Sequence, residues 1–311
     1  MIDGLDGKLD RPYYTVGSFE TSSLFDYNSD TMITAGTNGM LYTTKLKTTI
    51  DRTSGTLTVN PAHVSVKTKA SGESDKQVSV ESSIAAYQNY VFYADMGGVL
   101  RCVDTTSMKT LWAVKTGDAV EAAVALDLVD DGNTLWLYTA NTLTNRSKGS
   151  CQIRRYNALT GAEDWVYEVP VKKNKKTGVT AGVKASPVVG RNGLDGMVYF
   201  TVSYATDIDG SAADGVLIAL DKETGKPAWR RPLSSYSYSS PVAVYNEEGR
   251  GWIIQAANDG KMELLDGLTG AVVSTLQIEG EINASPAVYK GTLVIGTQGK
   301  GTSYIYGISL K

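Results

Sequence analysis

The chain has 311 residues, 42% apolar and 20% charged, a balance that fills a globular core. Thirty basic residues against 33 acidic ones leave a net charge of −3, which gives no electrostatic case for nucleic acid or an anionic membrane surface as partner. No run reaches the roughly 18 apolar residues of a membrane-crossing helix, so no membrane insertion of this segment is expected.

In chain order, one pattern keeps returning. Met1-Ile2-Asp3-Gly4-Leu5-Asp6-Gly7 lacks the layout of a signal peptide and overlays Leu264 to Gly270 instead, so the chain opens inside a repeat. Gly39 to Lys45 alternates apolar and polar residues, as a half-buried strand does. Gly98 to Asp104 repeats the alternation, ends on an Asp and is followed by Trp112. Cys151 to Asn157 leads through Thr160-Gly161 to Trp165. Gly215 to Trp229 is the clearest copy: a strand ending at Asp221, a turn ending at Gly225, and a second strand carrying Trp229. Gly260 to Asp266, with Gly270, and Ser303 to Ser309 close the series. Asp221 is expected to bond backbone N–H groups in its turn, and Gly225 to supply a positive φ. Trp112, Trp165 and Trp229 each stand eight residues after their Asp or Asn landmark, which predicts equivalent places in successive units.

A second landmark precedes each copy. Ala185-Ser186-Pro187, Ser239-Ser240-Pro241 and Ala284-Ser285-Pro286 are its full forms. Ser82-Ser83, Ser22-Ser23 and Ala122-Ala123 are degraded ones. The Asp-type landmarks fall at 3, 45, 104, 157, 221, 266 and 309, 42 to 64 residues apart. Such a period predicts an all-β fold, a β-propeller of four-stranded blades with six repeats visible, in a single domain over 1–311. Residues 1–17 would be an outer strand closing or ending a blade. The ring has six blades if that strand closes it, and otherwise is part of a seven- or eight-bladed one.

Three stretches are longer than the repeat requires. Asn141 to Ser150 is a polar loop; Trp165 to Ser186 holds the basic run Lys172-Lys173-Asn174-Lys175-Lys176, expected at a hairpin tip; Tyr204 to Asp214 is a lengthened connection. The basic run is a solvated tip or a docking patch for an acidic partner. Asp207 and Asp209 beside Gly210 hint at calcium, but the twelve-residue loop with its closing Glu is missing, so no metal is expected. The two cysteines, Cys102 on a strand and Cys151 at a strand start, belong to different repeats and are not expected to bridge. The sole histidine, His63, has no catalytic or metal-ligand spacing around it, and no catalytic residue is nominated.

The motif Gly-x-Leu-x-Ala-Leu-Asp-x-x-Thr-Gly-x-x-x-Trp after Ser-Pro-x-Val resembles the repeat of the pyrroloquinoline-quinone-like β-propellers, and Gly215 to Trp229 matches it almost throughout. The resemblance runs the length of the chain. It implies either quinone-dependent dehydrogenases or cofactor-free scaffolds such as the lipoprotein of the outer-membrane β-barrel assembly machinery, and a bacterial, extracellular or cell-envelope location. The dehydrogenases use a vicinal cysteine disulfide and calcium ligands. Cys102 and Cys151 are far from vicinal, so neither the quinone nor calcium is carried over and no cofactor is expected. The fold alone does not confer the activity.

The expected function is a non-catalytic scaffold binding a protein or a small polar ligand at the propeller mouth. Alternatives are a sugar- or peptide-binding propeller with an aromatic mouth and, on the enzyme side, a quinone-dependent dehydrogenase. The residue two before each Ser landmark shares its strand parity, which predicts a set near one channel mouth: Thr21, Glu81, Glu121, Lys184, Tyr238 and Asn283, with Tyr236 further out. Tyr236 and Tyr238 would be the contact platform, and Glu81, Glu121 and Lys184 would set its charge.

Overall fold

A computed structural model describes residues 18–61, 63–67, 78–176, 178–299 and 301–310. The side chains of 63–67, His63 among them, and the outer strand expected from residues 1–17 lie outside the described residues. The chain divides into two compact units, Met1–Val114 and Lys115–Lys311.

In the first unit, β1 (Leu24–Asp26), β2 (Thr31–Ala35), β3 (Leu41–Lys45) and β6 (His63–Lys67) form one antiparallel sheet. The hairpin β4 (Thr49–Asp51) and β5 (Thr56–Thr58) is inserted between β3 and β6. A second sheet holds β7 (Ala85–Tyr87), β8 (Tyr90–Ala94), β9 (Val99–Asp104) and β10 (Lys109–Lys115). Ile33, Ala35 and Leu41 of one sheet meet Val91, Tyr93 and Val103 of the other in a buried cluster, so each blade buries its face only against a neighbour.

The second unit repeats the plan. Its blades are β11 (Ala125–Val129), β12 (Thr134–Ala140), β13 (Lys148–Asn157) and β14 (Glu163–Lys172); β15 (Val188–Val189), β16 (Met197–Ile208), β17 (Ser211–Asp221) and β18 (Pro227–Pro232), joined to the first into one eight-stranded sheet where Val171 of β14 pairs with Ala205 of β16; and β19 (Val242–Tyr245), β20 (Gly251–Ala256), β21 (Lys261–Asp266) and β22 (Val272–Gln277). The last sheet has three strands among the described residues: β23 (Ala287–Tyr289), β24 (Thr292–Thr297) and β25 (Tyr304–Ser309). No α-helix occurs among the described residues from Val120 on. The inner strands after Ser186, Ser240 and Ser285 all begin two residues past the serine, as equivalent blades require.

The repeated turn closes as its chemistry dictates. Thr224 N–H and Oγ1–H both donate to Asp221 Oδ1, at 2.8 and 2.7 Å, and Thr269 does the same to Asp266 at 3.0 and 2.9 Å. Gly225 and Gly270 adopt φ of +66° and +71°, and a Cβ on either would stand 2.6 or 2.7 Å from the ring of Trp165 or Trp229 in the preceding blade. Glycine is required twice over, by backbone and by space. Each indole N–H then donates to the residue after the landmark Asp, Trp165 to Lys222 O at 2.8 Å and Trp229 to Gly267 O at 3.0 Å. Within its own blade each Trp meets one ring on the second strand: Phe92 with Trp112, Tyr138 with Trp165 and Tyr199 with Trp229, all with centroids about 6 Å apart.

Asp104 makes the same kind of turn, accepting from Ser107 Oγ at 2.6 Å, Asn89 Nδ2 at 2.8 Å and Thr106 N at 3.0 Å. The Ser107 and Asn89 bonds favour its charged form and bring its pKa from 3.8 down to about 2. Because the folded value is the lower one, the turn contributes fully above about pH 4 and loses that contribution as pH falls through about 2. Asp104→Asn, which cannot titrate, is expected to flatten the fall of Tm between pH 5 and pH 2. Parallel Tm–pH curves for the two proteins would show that this carboxylate is not coupled to folding.

The three long stretches are more strand-like than their polar residues suggest. The lengthened connection Tyr204 to Asp214 is made of strand: β16 and β17 run on as a hairpin, with Ala205 opposite Ala213 and Ile208 opposite Ser211. Lys172 ends β14, and Lys173 to Lys176 follow it as an exit turn rather than a hairpin tip. Most of Asn141 to Ser150 is loop, but Lys148 to Ser150 already belong to β13, and Cys151 is the fourth residue of that strand rather than its start. In each case alternation of side chains across the sheet extends past the repeat: Gly149, Cys151 and Ile153 face Val171, Val169 and Tyr167, while Lys148 faces Lys172.

Candidate functional site

The Ser landmarks fix where the site residues stand. Ser186 N–H donates to Ser240 Oγ and Ser240 N–H to Ser285 Oγ, both at 2.9 Å, so each inner strand starts pinned to the next. Lys184, Tyr238 and Asn283, two positions earlier, are thereby held in equivalent places, and they and Glu121 are partly exposed while Ala122, Ala185 and Ser239 beside them are buried.

Three of these four touch one another in sequence. Lys184 Nζ lies 2.5 Å from Glu121 Oε2 and 4.9 Å from the centre of the Tyr238 ring. Tyr238 packs edge-on against Tyr236, centroids 5.4 Å apart, and Tyr236 stacks on Tyr204 at 5.7 Å with 25° between planes. Asn283 joins through Asn258, whose Nδ2 donates to Asn283 Oδ1 at 3.1 Å and whose N–H donates to Tyr236 O at 2.9 Å. Burial raises the Tyr236 and Tyr238 pKa values above 10, so both present neutral phenols at physiological pH.

The loop 141–147 completes the acidic end. Asp118, 2% exposed, accepts from Asn145 N and Nδ2, both at 2.9 Å, and from Arg146 Nε at 3.1 Å. This clasp sets Thr144 Oγ1 2.8 Å and Thr142 Oγ1 3.0 Å from Glu121 Oε1. Both carboxylate oxygens of Glu121 are therefore engaged, and the Lys184 ammonium keeps donors to spare for a partner. Tyr204, Asn258, Thr142 and Thr144 were invisible to the landmark argument. Tyr204 is the most unusual: it holds φ of +55° while 8% exposed, a conformation that bulky side chains avoid unless their surroundings impose it.

The two remaining members belong to the first unit. Thr21 Oγ1 donates to Ala35 O at 2.9 Å, and Glu81 Oε1 accepts from Ser79 Oγ at 3.2 Å. Of the metal candidates, Asp207 caps its hairpin turn by accepting from Gly210 N at 3.0 Å, and Asp209 pairs with Arg230 at 2.8 Å. No group of three His, Cys, Asp or Glu side chains converges among the described residues. Cys102 and Cys151 are free, buried thiols, and burial pushes each to a pKa of about 12. Cys151 donates to Asn141 O at 3.0 Å.

A family model described as outer membrane protein assembly factor BamB matches residues 46–192 and again 182–305. The chain belongs to this family. Among curated proteins, the human beta-alanine-activating enzyme is 31% identical over 88 residues, 28% of this chain and only 8% of that protein. Among solved structures, the quinohemoprotein alcohol dehydrogenase of Comamonas testosteroni superposes with a TM-score of 0.57 at 14% identity, over 85% of this chain and 43% of that one. Quinohemoprotein alcohol dehydrogenase ADHIIG of Pseudomonas putida HK5 gives 0.60 at 14% identity, over 94% and 52%. These likenesses establish the all-β propeller fold and nothing about chemistry.

Proposed function

We propose that the chain is a non-catalytic propeller scaffold of the bacterial cell envelope that binds a protein or a small polar ligand at the Glu121–Lys184–Tyr238–Tyr236 surface. The observation that carries this reading is the unbroken line of contacts from Glu121 to Tyr204, made by residues that differ from blade to blade while their neighbours repeat. Rigid tyrosines offer a large contact area at small entropic cost, and the Lys184 ammonium, held beside them by Glu121, has further N–H groups to orient a polar partner. A sugar ring or a peptide side chain stacked on Tyr236 and Tyr238 is the sharper form of the same idea. The envelope location is supported by the family description.

The quinone chemistry of the dehydrogenases does not fit these residues. Cys102 and Cys151 sit 49 positions apart in the sequence, each inside a strand and protonated, so they cannot form the vicinal disulfide on which a quinone would stack. No quinone or calcium is assigned.

A photo-cross-linking residue at position 236 is expected to give a discrete adduct in intact envelopes, where the same group at the exposed Tyr289 gives none. Tyr236→Ala with Tyr238→Ala should weaken binding of the captured partner about thirtyfold, the effect of losing about 2 kcal/mol at an aromatic anchor. Undiminished binding by a folded double variant would remove the function from this surface.

A further inference from the structure

The distal end of the β13–β14 hairpin concentrates positive charge on an otherwise acidic protein. Lys148 and Lys172 stand directly opposite each other in the ladder, so their side chains leave the same face of the sheet about 5 Å apart at Cβ. Like charges so placed oppose pairing, and any neutral residue would stabilise the hairpin better. Lys175 and Lys176 follow in the exit turn, and both are exposed. None of these four lysines has a carboxylate within ion-pair distance among the described residues. Lys173, by contrast, is tied down by donating to Thr144 O.

Beside the lysines opens a cavity of about 450 Å³. Lys172, Lys173 and Asn174 line it together with Ala205, Ala213 and Leu233. It exists because two small residues, Ala205 and Ala213, face each other across the prolonged β16–β17 hairpin. A pocket of this volume takes one apolar side chain with room to spare, and its lining joins apolar surface to the Lys172 and Lys173 cations, with the Asp214 carboxylate also at its wall.

We propose that this face docks an acidic protein segment that inserts one apolar side chain into the cavity and lays its carboxylates along Lys148, Lys172, Lys175 and Lys176. Charge complementarity explains why a destabilising Lys–Lys pair is kept, and the apolar lining explains why the partner is a peptide. A lipid headgroup layer or a phosphodiester chain supplies charge, but no side chain for the cavity, and the net charge of −3 disfavours extended polyanions. The surface goes beyond the tyrosine site, sharing Tyr204 with it at the cavity wall and using none of its charged groups.

The test is fluorescence anisotropy of the intact chain with a short fluorescein-labelled peptide of Glu and Asp carrying one central Leu, beside the same peptide with central Gly. The Leu peptide is expected to bind more tightly, and the affinity to fall with salt. The triple variant Lys172→Gln, Lys175→Gln, Lys176→Gln should bind it about tenfold more weakly, since exposed charge pairs each contribute only a few-fold, while its melting temperature stays at or above the parent's because the Lys148–Lys172 repulsion is relieved. Ala213→Leu, which fills the cavity from within, should erase the preference for Leu over Gly while the salt dependence persists. Equal binding by the triple variant and the parent would overturn the proposal. So would tighter binding to phosphatidylglycerol vesicles or to polyuridylate than to the Leu peptide.

Discussion

Replacing Lys222 by methionine is expected to lower unfolding free energy by about 3–5 kcal/mol, the cost of stranding a buried carboxylate. Lys222 follows the landmark Asp221 and points back into the preceding blade. Its side chain is 6% exposed, and Nζ lies 2.8 Å from Asp127 Oδ2 and donates to Gly190 O at 3.0 Å. Asp127, on β11, is itself 3% exposed at the side chain. Methionine reproduces the aliphatic stem but not the charge, so Asp127 must either stay ionised without a cation or take up a proton. Lys222 O, which receives the Trp165 indole N–H and the Arg155 guanidinium, is a backbone atom and is left in place. Adding Asp127→Leu to the variant should recover most of the loss, because an apolar pair replaces a buried ionic one at little cost. Urea unfolding of the two variants measures both effects. A single-variant loss under about 1 kcal/mol would mean that the pair is solvated and that this inter-blade contact is not held by charge.

Trp229→Ala is expected to cost about 3–5 kcal/mol. The indole fills the space between the outer strand β18 and the next blade's turn, where the absence of a Cβ at Gly270 lets the ring approach. Truncation opens a cavity there, leaves Gly267 O without its donor and removes the ring contact with Tyr199. Trp165→Ala should behave alike, since Gly225, Lys222 O and Tyr138 occupy the corresponding places. Both losses would be read from denaturant midpoints at constant m-value. An unchanged midpoint for Trp229→Ala would take away the energetic meaning of the tryptophan spacing.

How far the sequence led depends on the range of the forces involved. The Asp221 and Asp266 turns were legible because donor, acceptor and required glycine lie within five consecutive residues, and local chemistry of that kind survives wherever the segment is placed. The parity argument from the Ser landmarks likewise selected Glu121, Lys184, Tyr238 and Asn283, since strand alternation has a fixed period of two. It missed Tyr204, which lies in a neighbouring strand and in a backbone conformation that no residue type announces. The full length of the hairpins does not show in their polar outward faces. The inward alternation of Gly149, Cys151, Ile153 with Val169 and Val171 was nonetheless present in the sequence.

The sequence alone determined that this chain is a repeat of four-stranded units, where those units turn, and which glycines and tryptophans recur, because each of these follows from interactions between near neighbours. Only the tertiary structure decided who meets whom across blades. The pairings of Lys184 with Glu121, Lys222 with Asp127 and Tyr204 with Tyr236 span 63, 95 and 32 residues. Insertions change every such spacing without changing the fold, since what brings these side chains together is the stacking of whole sheets and not the distance along the chain.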